Sequence, residues 1–170
     1  GVAALRTGRV KHLIATDINK AANALLDANF DFVMQTRRKD EDFSLHNLGC
    51  DGLSAVDGDL DCIIANPPYI ADPAHRAYRD GGAMLGGEIS LSWAREAAAR
   101  LTRGGAFLLY TGSAIVEGED QLKAELFDAL SGFDITYREI DPDVFGEELE
   151  REDYADVERI AVVGLVAIKR

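Results

Sequence analysis

The sequence predicts an α/β domain: a mostly parallel sheet with an antiparallel last strand and helices on both faces. Two observations predict it. Short apolar runs rich in β-branched residues alternate with stretches of ten or more residues at helical spacing, the pattern of strands joined by crossover helices. Two of those runs also stop abruptly on a polar residue, Asp17 and Asn66, and the carboxyl ends of strands are where such folds bind ligands.

Residues 10–16 (VKHLIAT) read as a buried strand ended by Asp17. A helix follows, with Asn19 placed to cap it and Ala21, Ala22, Leu25, Leu26 and Phe30 recurring on one face. Arg37, Arg38 and Lys39 are followed at once by Asp40, Glu41 and Asp42, which reads as a solvated, self-neutralised loop. Residues 43–48 alternate as a strand, and residues 49–58 supply turn-forming side chains. The run 60–65 (LDCIIA), stopped by Asn66-Pro67-Pro68, has the form of a central parallel strand. Two glycine pairs, Gly81-Gly82 and Gly86-Gly87, mark residues 72–87 as loops.

Residues 90–101 read as a helix with Ala94, Ala97, Ala98 and Leu101 on one side, stopped by Gly104-Gly105. Residues 106–110 (AFLLY) form a further buried strand, and residues 119–130 an amphipathic helix built on Leu122, Leu126, Phe127 and Leu130. The alternation of residues 133–140 gives another strand, and residues 159–168 a last, longer one. The acidic segment 141–158 between them is long enough for an antiparallel return.

A chain of 170 residues that is 47% hydrophobic builds one compact domain. No apolar run is long enough to cross a bilayer and the chain opens with no basic-then-apolar leader, so the expectation is a soluble protein. Cys50 and Cys62 have neither metal-ligand spacing nor the number for a disulfide framework, which fits a reducing cytoplasm. His12, His46 and His75 match no metal-ligand spacing, and no nucleophile elbow or phosphate loop occurs. Eighteen basic residues against thirty acidic ones give a formal charge of -12, a field that repels nucleic acid and favours a protein or small-molecule substrate.

Asn66-Pro67-Pro68-Tyr69 carries the most chemistry. Two successive prolines fix φ and remove both backbone donors, so the loop is stiff and offers carbonyl acceptors without competing N–H groups. Asn66 adds a side-chain carbonyl. A planar NH2 group entering this loop would donate to Asn66 and to the Pro67 carbonyl, and Tyr69 would stack on its plane. Amide and arylamine lone pairs are delocalised, so acceptors that favour a pyramidal, positively charged nitrogen stabilise the transition state selectively. The alternative is a plain strand-ending turn with an exposed tyrosine.

Asp17, at its strand tip, is placed to accept from the two hydroxyls of a ribose, and the competing reading makes it part of the helix cap near Asn19. Asp51 is suited to the exocyclic amine of an adenine or, equally, to an Asp51-Gly52 turn. Asp61 lies at the wrong end of its strand for catalysis and receives no role.

The stretch Ile63-Ile64-Ala65-Asn66-Pro67-Pro68-Tyr69 resembles the active-site motif of class I S-adenosylmethionine-dependent methyltransferases that modify amide or base nitrogens. The group includes the release-factor glutamine methyltransferases, N6-adenine methyltransferases of DNA and RNA, and small-domain ribosomal RNA guanine methyltransferases. Residues 15–19 (ATDIN) are similar to the family's acidic ribose-binding motif, and residues 80–82 through 104–108 to the helix and strand after the catalytic loop, particularly in the glutamine-methylating branch. The resemblance implies a Rossmann-like fold and S-adenosylmethionine as cofactor. It implies catalytic roles for Asn66, Pro67, Pro68 and Tyr69, and cofactor contacts at Gly1, Asp17, Ile18, Asp51, Gly52 and Asn66. No metal is implied.

The family's glycine-rich loop and first strand precede the position of Gly1, so the expectation is a single catalytic domain, residues 1–170, that lacks an upstream first strand and any N-terminal domain. The resemblance implies N-methylation of a protein glutamine side chain, with adenine N6 or guanine N2 of a nucleic acid as the alternative acceptor. A cofactor-binding subunit without activity is a reading of another class. A nicotinamide-dependent oxidoreductase would use Asp17 but leave the Asn-Pro-Pro-Tyr loop without a task.

Overall fold

The computed structural model describes residues 1–37 and 42–170, so Arg38, Lys39, Asp40 and Glu41 of the charged loop lie outside the described residues. The chain divides into two compact units, residues 1–57 and 58–170. The first contains α1 (Val2–Leu5), β1 (His12–Thr16), α2 (Lys20–Thr36) and β2 (Ser44–Leu48). Strands β1 and β2 pair in parallel, Thr16 opposite Leu48, across the crossover helix α2. That helix starts where predicted, because the Asn19 side chain accepts from the Ala21 N–H at 2.9 Å. Phe30, Val33 and Met34 on its inner face pack with Leu5, Leu13 and Phe43. Strand β1 is not the buried strand expected of it: His12 and Ile14 are exposed, since among the described residues β1 pairs with β2 alone.

The second unit contains β3 (Leu60–Ala65), α3 (Glu88–Arg100), β4 (Leu101–Val116), β5 (Glu119–Asp120), α4 (Gln121–Ala129), β6 (Phe133–Asp141) and β7 (Arg159–Lys169). Its sheet has the order β3-β4-β7-β6, with β5 paired to the far end of β4. Strands β3, β4 and β6 run the same way and β7 runs against them. The antiparallel last strand is therefore where the sequence puts it. Both α3 and α4 pack on one face, Leu91, Ala94, Ala97, Leu122, Leu126 and Leu130 closing over Phe107, Leu109, Leu165 and Ala167. The alanines bring α3 close to the sheet, and each buried leucine contributes about 1.5–3 kcal/mol.

The pair Gly104-Gly105 does not end α3, which stops at Arg100 when Leu101 turns extended. The glycines lie instead in a bulge of β4, where Leu60 faces Leu101 but Cys62 already faces Ala106, and Gly104 takes φ +81°. Strand β4 then runs on to Val116, well past Tyr110. Strand β3, read as central, is an edge strand among the described residues, pairing only with β4 and leaving Ile64 71% exposed. The return from β6 to β7 is made by two 3-10 turns, Gly146–Glu150 and Glu152–Tyr154.

Candidate functional site

Asn66 follows the last residue of β3, at the carboxyl end of a strand paired in parallel with β4. It is exposed and makes no hydrogen bond among the described residues. Pro67 is fully buried, Pro68 and Tyr69 half-buried. The tetrapeptide thus turns from surface to interior, fixing its backbone while leaving the Asn66 amide to solvent. Tyr69 lies against Gly112 of β4, where a Cβ would overlap its ring. The Phe145 ring stands beside it, centroids 6.0 Å apart and tilted by 53°. Burial, and then the neighbouring Tyr110, push the Tyr69 phenol above its ordinary pKa, so it is neutral and aromatic in character at physiological pH.

Residues 70–82 are a tightly bonded loop. Ile70 N–H donates to the Arg79 carbonyl at 3.1 Å and Gly81 N–H to the Ile70 carbonyl at 2.8 Å, closing the loop at its base. A Cβ at Gly81 or Gly86 would run into the backbone of Tyr69, so both glycines are required by close approach of chain segments. Asp72, 4% exposed, takes a two-pronged grip from Arg76, Nε at 2.6 Å and Nη2 at 2.7 Å. Those hydrogen bonds hold its carboxyl far below the usual carboxylate range. Asp80 accepts from His75 at 2.8 Å and from the Gly82 N–H at 3.1 Å, and is likewise lowered, first by His75. Arg79 reaches Glu148 in the acidic segment, and Arg151 reaches the other Glu148 oxygen at 2.7 Å. Hydrogen bonds from Arg79 and then Arg151 lower the Glu148 carboxyl.

In the first unit, Asp17 follows β1 and Asp51 lies just past β2, so both occupy the carboxyl edge of the two-stranded sheet. Asp17 is exposed; its Oδ1 accepts from the Asn19 N–H at 2.7 Å, and its carbonyl accepts from the Asn23 side chain at 2.9 Å. Asn19, not Asp17, is the helix cap. Asp17 therefore supports the entry to α2, and its Oδ2 has no donor among the described residues. Ile18 is 57% exposed. Asp51 opens a turn, its carbonyl accepting from the Ser54 N–H at 3.0 Å, and Gly52 adopts φ +51° there, so the Asp-Gly turn forms while the exposed Asp51 carboxylate is left to solvent. Gly1 precedes α1 as its N-terminal cap residue. An exposed carboxylate with an unused oxygen at a strand tip suits the ribose of a nucleoside cofactor.

Reading the sequence missed Gly112, Phe145 and Tyr154. Tyr154, 1% exposed, accepts from the Ala71 N–H at 2.7 Å and thereby ties the acidic segment to the loop just after Tyr69. A glycine in an apolar strand is a signal of close approach that would have found Gly112. Nothing local marks Tyr154 or Phe145, whose roles exist only once residues 141–158 fold back.

No protein-family model matches the sequence, and no curated protein matches it. Solved structures do. The chain is similar to a ribosomal protein L11 methylase from Lactobacillus delbrueckii subsp. bulgaricus at 17% identity and TM-score 0.57, covering 99% of this chain and 64% of that one. It is similar to the M. jannaschii tRNA m1G37 methyltransferase at 17% identity and TM-score 0.57, covering 100% of this chain and 42% of that one. It is also similar to SMU.776, a protein complexed with SAH, at 14% identity and TM-score 0.50, covering 96% of this chain and 48% of that one. The chain thus spans less than two thirds of each of these proteins. The likeness is one of fold, the Rossmann-like α/β fold of methyltransferases. No helix among the described residues is long and apolar enough to cross a membrane.

Proposed function

We propose that this chain is the catalytic domain of an S-adenosylmethionine-dependent N-methyltransferase whose acceptor is a planar NH2 group, foremost a protein glutamine side chain. The observation that carries the reading is the Asn66-Pro67-Pro68-Tyr69 loop at the end of a parallel strand, with Asn66 exposed and the Tyr69 ring seated on Gly112. In this reading Asn66 accepts a hydrogen bond from the acceptor NH2, the proline carbonyls offer further acceptors, and Tyr69 stacks on the planar group. The exposed carboxylate of Asp17 takes the ribose hydroxyls, with Ile18, Asp51 and Gly52 as further cofactor contacts. When bound, S-adenosylmethionine supplies an electrophilic sulfonium methyl, and the chain contributes position and polar acceptors.

Charge supports this choice of acceptor. Residues 141–158 carry nine acidic side chains against one arginine. Arg76, Arg79, Arg151 and Arg159 each bond a carboxylate of the chain itself. Cations committed in this way contribute little to the counterion release that drives binding of polyanions. A glutamine in a protein, which brings no run of phosphates with it, is the better match. The likeness to a tRNA methyltransferase favours a nucleic-acid base as the second reading.

Incubation with methyl-labelled S-adenosylmethionine and, separately, glutamine-containing protein acceptors, tRNA and DNA tests both. Label in protein is the expected result, recovered as methylglutamine after enzymatic digestion. Label in tRNA or DNA alone would replace the first reading with the second. Calorimetry finding no binding of S-adenosylmethionine would exclude both.

A further inference from the structure

We propose that Tyr154 is a positioning residue of the methyl-acceptor site: its buried hydroxyl anchors the backbone behind Tyr69 and so sets where the Tyr69 ring stands. This rests on the function proposed above. Pro67 and Pro68 have no N–H to donate, so the loop is first fixed by the amides that follow them. Ile70 is satisfied within the loop by Arg79. Ala71 instead donates to the Tyr154 hydroxyl, 83 residues along the chain, at 2.7 Å.

The same hydroxyl faces the Leu85 carbonyl at 3.4 Å. Leu85 and its neighbour Met84 both have positive φ, +54° and +56°, a conformation costly for such side chains and held only when the surroundings impose it. One oxygen therefore joins the loop after Tyr69 to the strained turn that precedes α3.

Tyr154 itself has little freedom. Its ring packs with Ile70, Val157 and Ile160, in a cluster that also takes in Tyr69, Ala71 and Leu85. The Arg151 guanidinium lies over it at 5.5 Å, and Arg151 is in turn fixed by Glu148 and Asp153. On its other side the Tyr69 ring meets the bare backbone of Gly112. Tyr69 is thus set between a strand that admits it only because Gly112 lacks a side chain and a backbone held by a distant hydroxyl. An acceptor stacked on this ring would inherit any shift of it, and a displacement on the order of 1 Å costs up to about a hundredfold in rate.

Tyr154→Phe keeps the ring and removes only the oxygen. The expected result is a kcat lowered about ten- to a hundredfold, with S-adenosylmethionine affinity within about twofold of wild type and faster hydrogen exchange at the Ala71 amide. An unchanged kcat in a folded variant would overturn the proposal, because a tyrosine serving stability alone lowers the melting temperature without slowing turnover. Should the variant not fold, the wild-type Ala71 amide decides: core-like protection supports the anchor, and exchange as fast as an exposed loop refutes it. If the wild-type protein binds S-adenosylmethionine yet methylates nothing, the functional reading fails separately. The Tyr69 ring resonances in Tyr154→Phe then decide the positioning alone, moving if it holds and staying in place if it does not.

Discussion

Asn66→Ala removes the one exposed side-chain acceptor of the strand-end loop while leaving both prolines and the Tyr69 seat intact. Turnover is expected to fall by at least about a hundredfold, as when one preorganised polar group is lost from a transition state. Cofactor affinity should stay near normal, and full activity in the variant would remove Asn66 from the chemistry. Asp17→Ala should act on the other quantity. Its carboxylate bonds the Asn19 amide at 2.7 Å but Asn19 caps α2 independently, so the helix survives the change. The expected effect is a roughly tenfold or greater rise in the dissociation constant for S-adenosylmethionine, about the 1.5–3 kcal/mol of a hydrogen bond to a charged group. Unaltered affinity in calorimetry would take Asp17 out of the site.

Among the elements, those marked by strong local signals were legible in the sequence. Strand β3 has the bounds its apolar run and its prolines dictate, and α2 begins where Asn19 caps it. The second half of β4 was not legible, because Thr111, Gly112 and Ser113 interrupt its hydrophobic run. Their polar groups are satisfied only in the fold, Thr111 by Ser90 at 2.7 Å and Ser113 by Asp120 at 2.6 Å. The same limit hid half the candidate site: the tetrapeptide is local, whereas its supports come from β4 and from the segment before β7. That support is an ion-pair lattice, and it has a pH signature. Glu148 is held below its ordinary pKa by Arg79 and Arg151, so its stabilisation is complete above the ordinary carboxylate range and disappears as pH falls through its lowered folded value. Glu148→Gln should therefore melt lower than wild type at neutral pH, by roughly 4 °C. The gap should close as acidification carries the pH through that lowered value and protonates the wild-type carboxyl as well. A gap that persists in acid would mean that the ion pairs are not what Glu148 contributes.

For the whole molecule the informative quantity is where its charge sits. Residues 58–170 hold 22 acidic against 11 basic side chains, so eleven of the twelve excess negative charges belong to the unit that carries Asn66 and Tyr69. Charge separated by more than about 10 Å is largely screened at 0.1 M salt, but repulsion of a polyanion sums over many phosphates and persists at low ionic strength. A basic protein acceptor would be steered toward this unit by the same field, with an association rate that falls as salt rises. Methyl transfer to a glutamine acceptor embedded in basic sequence should consequently be faster at low salt than at high, and excess tRNA should not inhibit it beyond what its sequestration of the basic acceptor explains. Repeating the competition with a neutral glutamine peptide removes that sequestration, and there tRNA should have no effect at any salt concentration. Inhibition of the neutral-peptide reaction by tRNA at low salt, relieved as salt is added, would show phosphates being bound beside the site despite its charge and would return the acceptor to the nucleic-acid class.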